Sequence, residues 1–167
     1  MPINFTQNKE AVESLRKALF GETMNFQIPG HILNKNGKAE GEILGGNLSL
    51  LYALQGSVSD ITTQGKILFL EDLDEYLYHI DRMILSLKRS GKLSGLAGLV
   101  IGGFTDMKDN VVPFGRSAEE IIRDSVKEYE YPVCFNFPAG HIGQNMALYM
   151  GRRVFLTVTG QGVDLKF

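Results

Sequence analysis

At 167 residues, with 44% hydrophobic and 22% charged side chains, the chain is long enough for one compact domain with its own core and too apolar to be disordered. Seventeen basic residues against nineteen acidic ones give a formal charge of -2, which leaves no basic field to capture nucleic acid or an anionic membrane. The apolar runs are strand-length, well short of the roughly 20 residues of a membrane-spanning helix, so a soluble chain is expected.

Met1-Pro2-Ile3-Asn4-Phe5 is apolar and precedes any helix cap, so it reads as a possible domain junction that continues from something earlier. Ala11, Val12, Leu15 and Leu19 then recur at helical spacing, and Gly21 follows as a closing residue. Residues 26–45 read as two extended segments around Asn34-Lys35-Asn36-Gly37; Asn-Gly tolerates positive φ at both positions, which predicts a hairpin. Gly45-Gly46-Asn47 leads into Leu48, Leu50, Leu51 and Leu54, a helix that Asn47 can cap. That turn is either a plain strand-to-helix connection or a place where ligand or another domain approaches closely.

Lys66-Ile67-Leu68-Phe69-Leu70 is an apolar strand that stops at Glu71-Asp72, ahead of a helix burying Leu73, Tyr76 or Leu77, Ile80, Met83 or Ile84, and Leu87. Asp72 and Glu75 match a capping box, which accounts for both acids. Glu71 is left without such an explanation at the carboxyl end of a parallel strand, where open α/β sheets gather functional groups. His79 and Arg82 fall on the polar face of that helix, as solvent-facing or ion-paired residues.

Gly98 to Phe104 is a second buried strand, and Ser117 with Glu120 marks a capping box before Ile121, Ile122, Val126 and Tyr129. Pro132-Val133-Cys134-Phe135-Asn136-Phe137 reads as a third, and alternating Val154, Leu156 and Val158 as another, paired with the tail through Gly160-Gln161-Gly162. Repeated strand-helix units predict an α/β fold with a parallel central sheet and an attached antiparallel hairpin or meander.

The third strand feeds Asn136-Phe137-Pro138-Ala139-Gly140-His141-Ile142-Gly143-Gln144-Asn145, where glycines on both sides leave His141 little neighbouring bulk and present its ring to a cleft. A histidine base needs something to activate. Ser57 and Ser59 lie in a polar loop, Ser94 and Ser117 have turn or cap explanations, and no serine occupies a nucleophile elbow. Cys134, the single cysteine, excludes an internal disulfide, fits a reducing compartment, and sits in an apolar strand where a neutral buried thiol is expected. His31, His79 and His141 lack zinc-ligand spacing, and no glycine run extends into a phosphate-binding fingerprint, so neither metal nor nucleotide cofactor is expected. On residues alone, Glu71 and His141 also read as a cap-region acid and an unrelated loop histidine.

Gly45-Gly46-Asn47-Leu48-Ser49-Leu50-Leu51, Lys66 to Asp72 with Ile80-Asp81-Arg82-Met83, Gly102-Gly103-Phe104, and Pro138-Ala139-Gly140-His141 with Asn145 occur in that order. Together, from about Pro2 to the end, the chain resembles the C-terminal half of the LD-carboxypeptidase family, which includes the microcin-immunity peptidases. The resemblance implies a single domain over 1–167 of swivelling β/β/α type, with a mostly parallel central sheet, flanking helices and an antiparallel hairpin. It implies a serine peptidase with a Ser-Glu-His triad in which Glu71 and His141 are the glutamate and histidine, and the serine lies on an N-terminal domain absent from this chain. The implied substrate is murein tetrapeptide, which loses its terminal D-alanine during cell-wall recycling in the cytoplasm, with Gly46 and Asn47 as substrate contacts. The N-terminal domain and a second copy of the chain are the expected protein partners, and exposed apolar surface is expected where that domain packs. By itself the chain is expected to be inactive. Two other readings stay open: a microcin-immunity peptidase acting on a peptide-nucleotide conjugate, and a non-enzymatic binding module in which Glu71 and His141 lie beyond hydrogen-bond reach.

Overall fold

A computed structural model describes residues 8–167, so the apolar opening segment read as a junction lies outside the described residues. The chain forms α1 (Lys9–Leu19), β1 (Asn25–Pro29), β2 (Gly37–Asn47), α2 (Leu48–Leu54), β3 (Ile67–Leu73), α3 (Leu77–Arg89), β4 (Gly98–Thr105), α4 (Ala118–Val126), β5 (Val133–Cys134), β6 (Arg153–Val158) and β7 (Gly162–Lys166). The seven strands make one sheet in the order β1-β7-β6-β2-β3-β4-β5. From β2 to β5 neighbours run parallel; from β2 back through β6 and β7 to β1 they run antiparallel. This is the α/β architecture the strand-helix alternation predicts, with an antiparallel meander on one flank.

The pleat divides the core. Leu68 and Leu70 of β3 pack with Ile80, Met83 and Ile84 of α3 and with Ile121 and Ile122 of α4. Ile67 and Phe69 point the other way, toward Phe137, Ala139, Val154 and Leu156. Both faces of the parallel strands are therefore covered, which is why β3 and β4 read as continuous apolar runs while β6 alternates. Each buried branched or aromatic side chain contributes about 1.5–3 kcal/mol of transfer free energy, so this two-faced burial dominates the stability. The capping box of α4 is present: Ser117 Oγ accepts from Glu120 N at 3.2 Å, and Glu120 Oε2 accepts from Ser117 N at 2.9 Å.

Four expectations are corrected. The segments flanking Asn34-Lys35-Asn36-Gly37 do not form a hairpin, because the β6–β7 hairpin inserts between β1 and β2 and takes an edge of each. Asn34 Oδ1 instead accepts from Phe135 N at 2.7 Å, and Lys35 exchanges backbone hydrogen bonds with Val133. Helix α1 exists, capped by Asn8, but it buries Ala11 and Ser14 rather than its leucines, and Leu19 is 76% exposed. Ser14 Oγ explains the rotation, since it accepts from Ala147 N and donates to Ala11 O. The strand expected over 132–137 is regular only at Val133–Cys134; Asn136, with φ of 58°, interrupts it, and Phe137 N then donates to Ile101 O of β4 at 2.9 Å.

The fourth correction bears on the site. The capping box read at Asp72 and Glu75 is absent: α3 starts at Leu77 behind Tyr76, which makes no side-chain cap bond. Strand β3 runs on through Glu71 and Asp72 to Leu73, because Asn47 on β2 and Phe104 and Thr105 on β4 continue the ladder on both sides.

Candidate functional site

The parallel strands β2, β3 and β4 end at Asn47, Leu73 and Thr105 on the same edge of the sheet, and the chain leaving β5 returns across that edge as the loop carrying His141. Between Leu70 and Asp72 the register of β3 on β4 slips by one residue, so Gly102 and Gly103 oppose Glu71 alone. Bulges of this kind re-aim side chains, and here the extra residue lies in β4 and the residue that faces it is the candidate carboxylate. Glu71 keeps the face of Phe69 and points under the 139–141 turn; Asp72 keeps the face of Leu70 and points at the start of α2.

Glu71 Oε2 lies 2.6 Å from His141 Nδ1 and also accepts the His141 backbone N–H at 3.2 Å. A carboxylate can only accept, so a neutral ring in this contact carries its proton on Nδ1 and keeps its lone pair on Nε2. Glu71 is buried, at 6% exposure, while the His141 side chain is 28% exposed. The acid is thus sealed beneath the ring and the ring faces out.

The turn that holds the ring is specified by its neighbours. Gly140 has φ of 107°, and a Cβ there would stand 2.8 Å from Glu71 Cβ, so only glycine fits both the torsion and the contact. Asn145 Oδ1 accepts from Gly140 N at 3.0 Å, Thr105 Oγ1 donates to His141 O at 2.8 Å, and Gly103 N donates to Ala139 O at 2.9 Å. The second flanking glycine, Gly143, meets nothing within 4 Å and imposes no such requirement. Beside the turn, a cleft of about 370 Å³ runs along β1, lined among others by Asn25, Gln27, Pro138, Ile142 and Gln144.

Gly46 and Asn47 lie on the same sheet edge, with Asn47 in register with Glu71. Asn47 caps α2 as expected, its Oδ1 accepting from Leu50 N at 3.1 Å. The residue that sequence reasoning misassigned is Asp72. At 1% exposure it accepts from Asn47 Nδ2 at 2.7 Å, Leu73 N at 2.9 Å and Ser49 N at 3.0 Å, and burial raises its carboxyl above the usual range while those three donors oppose the rise. The usable signal was adjacency: two acids in succession at a strand tip must face opposite sides.

Other candidates separate cleanly. Cys134 is buried in β5, and burial pushes its thiol up to about 12, so it is not a thiolate at neutral pH. His79 Nδ1 meets Glu75 Oε2 at 2.7 Å and Arg82 lies 5.0 Å over the Tyr78 ring, both on the exposed side of α3. Among the described residues no group of three or more His, Cys, Asp or Glu side chains could hold a metal ion, and no helix is long and apolar enough to cross a membrane.

A buried carboxylate hydrogen-bonded to a partly exposed imidazole is an arrangement that can serve as the base half of a nucleophile-activating system. The family model of the LD-carboxypeptidase C-terminal domain matches residues 40–156, and the chain belongs to that family. It is 41% identical over 121 residues to a probable murein peptide carboxypeptidase of Bacillus subtilis, covering 70% of this chain and 37% of the relative. It is 31% identical over 148 residues to the murein tetrapeptide carboxypeptidase of Pseudomonas aeruginosa, covering 87% and 47%. The crystal structure of a muramoyltetrapeptide carboxypeptidase from Oxalobacter formigenes superposes with a TM-score of 0.83 at 25% identity, over 95% of this chain and 54% of that one. The microcin C7 self-immunity protein of Escherichia coli is 24% identical over 132 residues, covering 78% of this chain and 38% of the relative. Its structures share the fold at a TM-score of 0.69 and 20% identity, over 87% of this chain and 42% of theirs. The chain thus spans about half, or less, of the length of these relatives.

Proposed function

We propose that this domain supplies the glutamate and histidine of a Ser-Glu-His triad that removes the terminal D-alanine from murein tetrapeptide, with the serine presented by a preceding domain. The single observation that carries the reading is the 2.6 Å contact between Glu71 Oε2 and His141 Nδ1, which leaves the lone pair of a neutral ring on Nε2 in a side chain that is 28% exposed. In the first half-reaction His141 Nε2 takes the proton of the serine hydroxyl as the oxygen attacks the peptide carbonyl. It then gives that proton to the departing D-alanine amine. Glu71 stabilises the imidazolium formed in between and keeps the ring from turning over. Water repeats the cycle to release the acyl group. Gly46 and Asn47, on the same sheet edge, contact the substrate.

Greater identity to murein peptide carboxypeptidases than to the microcin-immunity protein favours the murein substrate over a peptide-nucleotide conjugate. A binding module with no use for the pair has nothing in its favour, since it required the two groups to lie apart. The test is D-alanine release from murein tetrapeptide by the domain joined to a family N-terminal domain. The joined protein should turn over, and the isolated chain should release none. Release by the pure isolated chain would reveal a nucleophile within it and end the two-domain assignment.

A further inference from the structure

Asp72 takes no part in the proton transfers above, yet it is more deeply buried than Glu71 and accepts three hydrogen bonds. Burying a carboxylate is costly, and a structural cap would not require it, because Asn47 Oδ1 already caps α2 through Leu50 N. Nor does the cap explain an asparagine at 47. Serine or aspartate caps equally well, and what asparagine adds is an NH₂ group.

The hydrogen bonds show where that group is held. Leu50 N is a fixed donor, so the Asn47 oxygen must face it, and the nitrogen must face Asp72. Ser49 Oγ donates to the same oxygen at 2.6 Å and fills its second lone pair. One Nδ2 hydrogen goes to Asp72, and the Ser49 backbone N–H goes to the other Asp72 oxygen. The inventory leaves Asn47 a single unassigned group, the second Nδ2 hydrogen.

We infer that Asp72 is a positioning residue that fixes the Asn47 amide as a donor only, so that this turn recognises an oxygen acceptor on the substrate, a peptide carbonyl or carboxylate. The inference rests on the reading in which Asn47 meets substrate. With the Ser49 and Leu50 amides already engaged, the opening turn of α2 has two fewer N–H groups for an anion, and the Asn47 side chain carries the contact. Glu71 and Asp72 then serve one site from opposite faces of the sheet, the first through the base and the second through the substrate contact.

The experiment is steady-state hydrolysis of murein tetrapeptide by the intact two-domain protein, comparing Asn47→Ala, Asp72→Asn, the double variant and His141→Ala. Asp72→Asn replaces one acceptor oxygen by a donor, so residue 72 can no longer accept from Asn47 Nδ2, Leu73 N and Ser49 N together, and the Asn47 amide loses its firm anchor. Asn47→Ala and Asp72→Asn should each raise KM about tenfold with kcat within about threefold, the size of one hydrogen bond lost to substrate. The double variant should be no worse than Asn47→Ala alone, because Asp72 acts through Asn47. An unchanged KM in Asp72→Asn, or penalties that multiply in the double variant, overturns the inference. If Asp72→Asn does not fold, Ser49→Ala releases one bond to the Asn47 oxygen without touching the strand. It should raise KM about threefold in the wild-type background and not at all in Asn47→Ala, and an unchanged KM in the wild-type background overturns the inference equally. Undiminished turnover in His141→Ala removes the catalytic reading and the Asp72 role with it. Turnover lost in His141→Ala with KM unmoved in Asp72→Asn removes only the Asp72 role.

Discussion

Glu71 and Asp72 follow one another at the tip of β3, both carboxylates and both buried, and the pleat sends them to opposite faces of the sheet. Glu71 meets a titratable ring that faces out and, in the proposed mechanism, changes charge; Asp72 meets only amide N–H groups. The difference teaches that burial of an acid says little about its work until its donors are named. A carboxylate held against an imidazole can stabilise a charge that comes and goes, whereas one held against fixed amides organises a turn.

Substitution at the two positions should therefore separate cleanly in kinetics. In the intact protein, Glu71→Gln should lower kcat by about 10⁴-fold, because an amide can hold the ring in the wrong tautomer and cannot offset the imidazolium charge. Asp72→Asn should leave kcat nearly unchanged. Equal losses of kcat at both positions would dissolve the distinction.

A step smaller is Gly140→Ala, which adds a methyl group at φ of 107° and 2.8 Å from Glu71 Cβ. Backbone strain of about 1–3 kcal/mol should appear as lowered denaturant midpoints of the domain, along with displacement of the His141 turn and lost turnover. Gly143→Ala, in open space, should alter neither. If both glycines tolerate alanine, the turn is not held as described.

The pH dependence of stability isolates Asp72. Burial raises its carboxyl, so the native state binds that proton more tightly than the unfolded chain does. Its contribution to stability is then full below the ordinary carboxylate value of about 4, and is lost as pH climbs through the raised one. Urea unfolding across that window should show wild type losing stability relative to Asp72→Asn as pH rises. A relative gain would reverse the sign and contradict the burial argument.

The smallest effect concerns Cys134, whose thiol is pushed up to about 12 in the wall of β5. Iodoacetamide at pH 8 should label it only after unfolding, and rapid labelling of the folded chain would show an open strand edge there.

How much of this was legible in the residues depends on how local each signal was. The alternation of β6, the apolar run of β3 and the Ser117–Glu120 box are local, and each appears where the sequence indicates. Asn36-Gly37 signalled a hairpin, but its flanking strands were claimed by β6 and β7, which lie more than a hundred residues away in the chain. Asp72 with Glu75 carried a correct cap pattern, overridden when sheet pairing extended β3 and Asn47 and Ser49 supplied better donors. Glu71 and His141 were singled out separately, by strand tip and by flanking glycine; their 2.6 Å contact depends on the register slip at Gly102-Gly103, which no local pattern encodes.

The claim beneath the whole account is that Glu71 fixes His141 with its proton on Nδ1 and its lone pair on Nε2. Two-dimensional ¹H–¹⁵N NMR of the imidazole nitrogens, recorded at a pH where the ring is neutral, reads this directly. The account predicts the Nδ1–H tautomer in the wild-type domain, with that preference lost in Glu71→Ala. A wild-type ring in the Nε2–H form, or one indifferent to the removal of Glu71, would contradict it.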